Sequence, residues 1–226
     1  MAGRVCVVTG ANRGIGLEVA RQLALAGDTV LLAARDLAKA ETAAQGLGGE
    51  VVPTRLDVSD QESVDTFAEG VRESHERVDV LVNNAAIHYD TWQRAVDADL
   101  GVVREALETN LLGAWRVTQA LLPLLRGGRV VNVSSEIGSL ASMGAGTPAY
   151  AVSKAALNAL TKMLAAELRQ DRILVNAVCP GWSATDMGGP GGRPVAEGAR
   201  SVLWGVDLPD NGPTGGFFRD GRPLPW

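Results

Sequence analysis

The sequence is poor in the residues that hold metal ions and disulfides. It has two cysteines and two histidines in 226 residues, and no cysteine pair lies near either histidine. Zinc sites need several such ligands at short spacings, so no metal site is predicted. Cys6 and Cys179 lie in or beside valine-rich runs. They resemble small buried hydrophobic residues of a reducing compartment, and a disulfide between them is the less favoured alternative.

Positive charge and long apolar runs are also scarce. The net charge of −5 leaves no basic face for nucleic acid, which is therefore not expected as a partner. No apolar run approaches the ~18 residues of a membrane span. The chain starts almost directly in a strand-like run, which argues against a signal peptide. We expect a cytoplasmic protein with no membrane partner and a single domain over residues 1–226.

Short β-branched runs alternate with helical patterns along the whole chain. This order is typical of an α/β fold: a Rossmann-type, doubly wound parallel sheet of about seven strands with helices on both faces. The strands are expected at 4–9, 29–34, 51–56, 78–82, 129–133, 173–178 and 215–218. The helices are expected from the glycine loop to 25, at 37–47, from a Ser59 cap to 74, and at 98–125, 148–169 and 195–205.

Polar or small residues follow five of these strands. Ligands of doubly wound sheets bind at the carboxyl ends of the strands. The expected site edge therefore carries Thr9, Asp57, Asn83, Ser134 and Cys179.

A glycine cluster follows the first strand and opens the first helix. Gly10, Gly14 and Gly16 allow a tight turn and a close backbone approach, and they aim free helix N–H groups at a pyrophosphate. The spacing is G-x-x-x-G-x-G instead of the commoner G-x-G-x-x-G. The alternative is a glycine-rich turn that binds no ligand.

The residues after the second strand indicate which dinucleotide is bound. An acid about 20 residues beyond the glycines usually holds the ribose 2′-hydroxyl, but Ala34 stands there and Arg35 follows it. Arg35 and Arg13 can pair with a 2′-phosphate, so NADP(H) is predicted over NAD(H). The carboxylate of Asp36 could partly offset the positive charge of Arg35, unless Asp36 serves as a helix N-cap and points elsewhere.

Tyr150 and Lys154 stand four residues apart in a helical pattern, and so on one face. A lysine cation beside a phenol favours the phenolate, and it would bring a pKa near ~10 toward the working pH of an acid–base catalyst. The alternative is a chance pair on an amphipathic helix, which the glycine loop in the same chain disfavours.

Several motifs in order resemble the short-chain dehydrogenases/reductases over essentially the whole chain, most closely the NADPH-dependent carbonyl reductases. They are T-G-A-N-R-G-I-G at 9–16, L-D-V at 56–58, N-N-A-A at 83–86, Asn110 in E-T-N-L-L-G, S-S at 134–135, Y-A-V-S-K at 150–154, P-G-W-S-A-T-D-M at 180–187 and the tail at 212–226.

The resemblance implies four catalytic roles. Tyr150 would donate the proton, and Lys154 would lower its pKa and hold the nicotinamide ribose. Ser135 would bind the substrate carbonyl, and Asn110 would anchor a water that links Lys154 to solvent. By register Ser135 is chosen over Ser134, although its spacing of 15 residues from Tyr150 is slightly longer than usual.

The resemblance also implies cofactor contacts along the sheet edge. Asp57 would meet the adenine amino group, Thr185 would bind the carboxamide, and 178–181 would flank the nicotinamide. The full cofactor set is Gly10, Asn12, Arg13, Gly14, Ile15, Gly16, Arg35, Asp57, Val58, Asn83, Ala85, Tyr150, Lys154, Pro180, Gly181 and Thr185. Ala86 replaces the usual glycine, and a local adjustment is expected there.

Three apolar residues are expected to line the substrate pocket: Leu140, Trp182 and Met187. His88, Tyr89 and Trp92 lie near the expected mouth, either as substrate contacts or as ordinary loop residues.

The favoured function is NADPH-dependent reduction of a ketone or aldehyde. The alternatives are NADP-dependent oxidation of a secondary alcohol and a non-catalytic NADP(H)-sensing regulator, which the intact Ser–Tyr–Lys set disfavours. The helices at 111–125 and after Tyr150 are apolar on more than one side. They predict a homodimer or homotetramer, with a monomer covered by its own loops as the alternative.

Overall fold

The computed structural model describes residues 3–226, and eight strands of this part of the chain form one sheet. The strands are Val5–Thr9 (β1), Thr29–Ala34 (β2), Glu50–Arg55 (β3), Val80–Asn83 (β4), Arg129–Val133 (β5), Leu174–Val178 (β6), Phe217–Arg219 (β7) and Arg222–Pro223 (β8). Their order in the sheet is β3-β2-β1-β4-β5-β6-β7-β8. Strands β1 to β7 are parallel, and β8 pairs antiparallel with β7. The predicted doubly wound sheet is confirmed, and the tail adds a short eighth strand.

Residues 3–226 form seven α-helices: Gly14–Leu25 (α1), Leu37–Ala44 (α2), Gln61–Ser74 (α3), Leu100–Leu107 (α4), Ala114–Leu121 (α5), Pro148–Glu167 (α6) and Val195–Val206 (α7). Helices α1, α2 and α7 pack on one face of the sheet, and α3, α5 and α6 pack on the other. Helix α4 packs against α6. None of the helices in the described part of the chain is long and apolar enough to span a bilayer.

Alternation along the central strands divides the core into two layers. Val7, Leu81 and Val130 face α3, α5 and α6, whereas Val8 and Val82 face the other helices. Because both faces of a parallel sheet are covered, its strands are apolar at consecutive positions. This continuous apolar character is what made the strands recognisable in the sequence.

The helix expected over 98–125 is interrupted in the structure. A π-helical segment, Glu108–Gly113, separates α4 from α5, and a short 3₁₀ turn that contains Pro123 ends the run. A π-turn inserts one extra residue into the helix and commonly marks a functional position. Here the turn places Asn110 against the loop that follows β4.

The cap predicted for α3 was wrong by one residue. Asp60 is the N-cap, and its side chain accepts a hydrogen bond from the backbone N–H of Glu62 at 3.1 Å. Ser59 instead donates its hydroxyl to Asp57 Oδ1 at 2.6 Å. Serine and aspartate are about equally good caps, so the local sequence did not decide between them.

Candidate active site

The turn between β1 and α1 leaves no room for a side chain at Gly10 or Gly16. Gly10 has a φ of +62°, and a Cβ there would lie 2.8 Å from the Cα of Ala85. A Cβ on Gly16 would lie 2.4 Å from Nδ2 of Asn84. The backbone of the turn therefore packs directly against Asn84 and Ala85, which follow β4.

The N-terminus of α1 opens at this turn and suits an anion. Its N-cap residue, Arg13, makes no side-chain capping bond, and the first turn holds no acidic residue. The first N–H groups of a helix lack intrahelical partners and sit at the positive end of its dipole. The loop therefore fits the pyrophosphate of a dinucleotide.

Three predicted catalytic residues meet beyond this loop. Lys154 is buried, and its Nζ donates to the carbonyl of Val133 at 2.7 Å. The same Nζ lies 5.5 Å from the centroid of the Tyr150 ring. Burial raises the pKa of Tyr150, and hydrogen bonding with the nearby Ser135 side chain lowers it by a smaller amount.

Burial shifts the pKa values of both Tyr150 and Lys154 away from their ordinary values. Burial raises the pKa of Tyr150 above its ordinary value, and the nearby Cys179 adds to the increase. Burial also lowers the pKa of Lys154 to about 8. Desolvation is the largest effect on the Tyr150 phenol, and the lowering of its pKa by Lys154 stays a prediction.

The two adjacent serines have separate environments. Ser134 is buried, and its hydroxyl donates to Oδ1 of Asn158 at 2.6 Å inside the core. Ser135 is half-buried, and its side chain lowers the pKa of Tyr150 by hydrogen bonding. The engagement of Ser134 in the core favours the register-based choice of Ser135, which stays a prediction.

Asn110 links the loop after β4 to α6. Its Oδ1 accepts from the backbone N–H of Ile87 at 2.8 Å, and its Nδ2 donates to the Ile87 carbonyl and to Ser153 Oγ. Ser153 precedes Lys154 on α6. The water expected between Asn110 and Lys154 stays a prediction.

The side chain of Asn83, one of the predicted cofactor contacts, points into the core. Its Nδ2 donates to Thr118 Oγ1 at 3.0 Å and to Asn132 Oδ1 at 2.9 Å, within a buried polar network. The neighbouring Asn84 turns toward the glycine loop instead, where its amide donates to the carbonyls of Thr9 and Gly10. Sequence reasoning missed Asn84, although the second asparagine of N-N-A-A could have indicated it.

The expected adenosine side of the site is built at the ends of β2 and β3. Asp57 Oδ1 accepts from the backbone and hydroxyl of Ser59, while Val58 is buried. Arg35 is exposed after β2. Asp36 caps α2 by accepting from Lys39 N at 3.3 Å, as its alternative role predicted.

Residues 180–193 approach the glycine loop from the other side. The Thr185 methyl would lie 3.5 Å from a Cβ on Gly14, and its hydroxyl accepts from Gly188 N at 3.0 Å. Arg13 pairs with Asp186 at 3.0 Å, with both side chains largely exposed. This brings Thr185 to the glycine loop, while Arg13 is turned toward a carboxylate.

The three predicted pocket residues are exposed apolar side chains of two loops. Leu140 and Trp182 are 74% and 63% exposed, and Met187 is 38% exposed. Trp182 Nε1 donates to the Gly188 carbonyl at 2.7 Å, which fixes the indole across its own loop.

The three residues left open near the mouth behave differently from one another. Tyr89 packs edge-on against Tyr150, with ring centroids 5.3 Å apart. His88 is paired with Glu105 on α4 at 2.7 Å, and Trp92 is 69% exposed. A further residue, Asp90, was not singled out in the sequence, although its carboxylate accepts from the Tyr150 N–H at 3.0 Å.

The class that this fold and site define is a dinucleotide-binding oxidoreductase. The sequence profile described as short chain dehydrogenase matches residues 4–193. The chain therefore belongs to the short-chain dehydrogenase family, as its motifs indicated.

The chain is similar to particular members of this family. The chain is 34% identical to the NADPH carbonyl reductase 1 of Sus scrofa, over 99% of this chain and 94% of that protein. It is 38% identical to the 3-oxoacyl-acyl-carrier-protein reductase FabG of Thermotoga maritima, over 83% of this chain and 77% of that protein.

A solved structure of an NADPH-bound carbonyl reductase from chicken fatty liver superposes with a TM-score of 0.87 at 28% identity, and the match covers both chains fully. Salutaridine reductase from Papaver somniferum superposes with a TM-score of 0.84 at 29% identity, over 96% of this chain and 99% of that one. These likenesses favour the carbonyl reductases among the members of the family.

Proposed function

We propose that the protein is an NADPH-dependent reductase that converts a ketone or aldehyde into an alcohol. The observation that carries this proposal is the meeting of Ser135, Tyr150 and Lys154 beside a glycine loop built for a dinucleotide. The carbonyl reductases among its relatives support the choice of cofactor.

When bound, the nicotinamide cofactor supplies the hydride that the carbonyl carbon accepts. The Ser135 hydroxyl donates a hydrogen bond to the carbonyl oxygen, which polarises the bond. The Tyr150 hydroxyl gives its proton to that oxygen, so one hydride and one proton complete the alcohol. Burial raises the pKa of Tyr150, so the phenol is protonated at neutral pH and its ionisation during proton transfer needs stabilisation. The Lys154 cation stabilises the phenolate that remains.

The reverse reaction uses the same residues. Oxidation of a secondary alcohol with NADP⁺ is therefore the alternative activity, and the substrate and the cellular cofactor ratio decide between the two. A regulator without turnover is disfavoured because the catalytic set is intact. The free, buried cysteines support a cytoplasmic location.

A spectrophotometric screen at 340 nm tests the activity directly. NADPH is incubated with the protein and a panel of aldehydes, ketones, quinones, imines and an acetoacetyl thioester, the last because of the similarity to FabG. We expect cofactor oxidation with at least one simple ketone or aldehyde. NADPH binding without turnover on the whole panel would favour the regulator.

Arg35→Ala should impair use of NADPH far more than use of NADH. The exposed guanidinium at the end of β2 is available to the 2′-phosphate, while Asp36 is engaged as a helix cap. A lost charge-assisted hydrogen bond costs about 1.5–3 kcal/mol, or roughly a 10- to 150-fold rise in the KM for NADPH.

Steady-state kinetics with each cofactor measures this effect. Arg72→Ala on α3 serves as the control, because its guanidinium pairs with Glu69 on the exposed helix surface. Equal increases of the KM for NADPH and NADH in Arg35→Ala would remove Arg35 from the 2′-phosphate site.

We also propose that the protein forms a homodimer or homotetramer through the helices between β4 and β6. Only 14 residues separate Ser135 from Tyr150, too few to cover these helices. The exposed face of α6 carries Val152, Ala159 and Met163. Ala151 on the same helix is buried against its own chain. A partner copy is the commonest cover for such a face.

Light scattering on a sizing column tests the assembly. The chain has a mass of 23.6 kDa, so we expect a species of two or four times that mass at micromolar concentration. Met163→Asp should dissociate it, whereas Leu25→Asp, at an exposed apolar residue on the opposite side of the sheet, should not. A wild-type monomer would contradict the proposal.

A further inference from the structure

Asp90 is a completely buried carboxylate that no lysine, arginine or histidine among residues 3–226 neutralises through an ion pair. It lies in the loop after β4. Its Oδ1 accepts from the backbone N–H of Tyr150 at 3.0 Å, and its Oδ2 accepts from that of Ala149 at 2.9 Å. Gln93 Nε2 also donates to Oδ2, at 3.1 Å. The main partners of the Asp90 carboxylate are therefore the first backbone N–H groups of α6.

Helix α6 lacks a cap from its own N-terminal residues. Thr147 at the N-cap position has a left-handed φ of +45° and makes no side-chain capping bond. Pro148 follows and has no N–H. Ala149 and Tyr150 therefore carry the first N–H groups that need a partner. Asp90 supplies that partner from 59 or 60 residues earlier in the chain, and a carboxylate also suits the positive end of the helix dipole.

The residue before Asp90 holds the ring of the same tyrosine. Tyr89 packs edge-on against Tyr150 at an interplanar angle of 89°. Tyr89 and Asp90, here called the 89–90 brace, thus contact Tyr150 through both its ring and its backbone.

The brace is itself anchored to the helix that leads to Asn110. Gln93, which donates to Asp90, accepts from the Asp99 N–H at 2.7 Å through Oε1. Asp99 in turn caps α4 by accepting from Gly101 N at 2.7 Å. One chain of hydrogen bonds therefore joins the starts of α4 and α6.

We propose that Asp90 is a positioning residue that sets the place of the Tyr150 hydroxyl relative to the substrate carbonyl. This inference rests on the proposed function, in which Tyr150 donates the proton. Rates of enzymatic steps respond to displacements of about 1 Å, which can cost on the order of 100-fold. A buried cap bonded directly to the N–H of the proton donor controls such a displacement.

The test compares Asp90→Ala and Asp90→Asn with a matched cap elsewhere. Asp60→Ala removes the N-cap of α3, which also accepts a backbone N–H but lies outside the site. Each variant is titrated with NADPH to count binding sites. Its kcat per site is then measured with NADPH and [4,4-²H₂]NADPH, using the carbonyl compound that the wild type reduces fastest.

For Asp90→Ala we expect kcat per binding site to fall by about 10- to 100-fold, with the Kd for NADPH within twofold of wild type. The deuterium isotope effect on kcat should rise, because the chemical step becomes slower than product release. Asp90→Asn keeps one acceptor oxygen, so its kcat per site should fall less than that of Asp90→Ala. If the alanine variant does not fold, the kcat of Asp90→Asn alone tests the positioning role. Asp60→Ala should keep the wild-type kcat per site.

A wild-type kcat per site in both Asp90 variants would overturn the positioning role, because the residue would then only stabilise the helix. Failure of the proposed function looks different: Tyr150→Phe would keep its activity whatever the Asp90 variants do.

Discussion

Tyr150→Phe is expected to abolish carbonyl reduction while NADPH still binds. The phenol carries the proton that the carbonyl oxygen must receive, and phenylalanine keeps the ring without that proton. Positioned acid–base groups contribute about 10²–10⁴-fold to rates, so less than a few per cent of turnover should remain. The edge-on contact with the Tyr89 ring is available to phenylalanine as well, so the fold should not change.

Turnover at 340 nm and fluorescence titration with NADPH measure the two halves of this prediction. The binding titration is the internal control, because a misfolded variant would lose both properties together. Retention of more than a few per cent of the wild-type kcat would show that another group donates the proton.

Lys154→Met should lower turnover by at least about 100-fold and yet stabilise the fold at pH 7. Lys154 is 2% exposed, and burial lowers its pKa from 10.5 to about 8. A shift of this size corresponds to roughly 3 kcal/mol of cost for carrying the charge inside the protein. The variant also loses the hydrogen bond to the Val133 carbonyl, which destabilises it by about 1 kcal/mol. We expect a net gain of about 2 kcal/mol in the free energy of unfolding.

The sign of the pH dependence follows from the lowered pKa. Between pH 8 and 10.5 the unfolded wild type binds more protons at Lys154 than the folded protein does, so the contribution of this group to wild-type stability rises with pH. The advantage of Lys154→Met should therefore be largest near pH 7 and shrink toward pH 10. Wild-type turnover should fall as pH rises through about 8, because neutral Lys154 no longer stabilises the phenolate.

Urea unfolding of both proteins at pH 7 and pH 10 measures the stability change. A variant less stable than wild type at pH 7 would show that the charge of Lys154 is compensated inside the protein. Unchanged turnover in the same variant would remove Lys154 from the mechanism.

Features with a local signal could be predicted from the sequence. The strands are continuous apolar runs between glycines and helices, and the glycine loop must fit a turn that tolerates no Cβ at Gly10 and Gly16. Tyr150 and Lys154 lie on one helix face at a spacing that can be counted directly.

Features that depend on distant residues could not be predicted. Asp90 caps a helix that begins almost 60 residues later, and an aspartate in a polar loop gives no sign of this. The π-turn at Asn110 forms where a side chain bonds the Ile87 backbone. The side chain of Asn83 turns into the core because Thr118 and Asn132 offer partners there. In each case the local sequence allows several conformations, and contacts with distant residues stabilise one of them.

Transfer of deuterium from [4,4-²H₂]NADPH to a carbonyl substrate tests the proposed hydride transfer. A single aldehyde or ketone that the enzyme turns over is reduced to completion, and the alcohol is analysed by mass spectrometry. With both C4 hydrogens labelled, we expect one deuterium on the former carbonyl carbon for each NADPH consumed, and no such product with Tyr150→Phe. Oxidation of NADPH without a deuterated alcohol, or no oxidation with any carbonyl compound while NADPH binds, would contradict it.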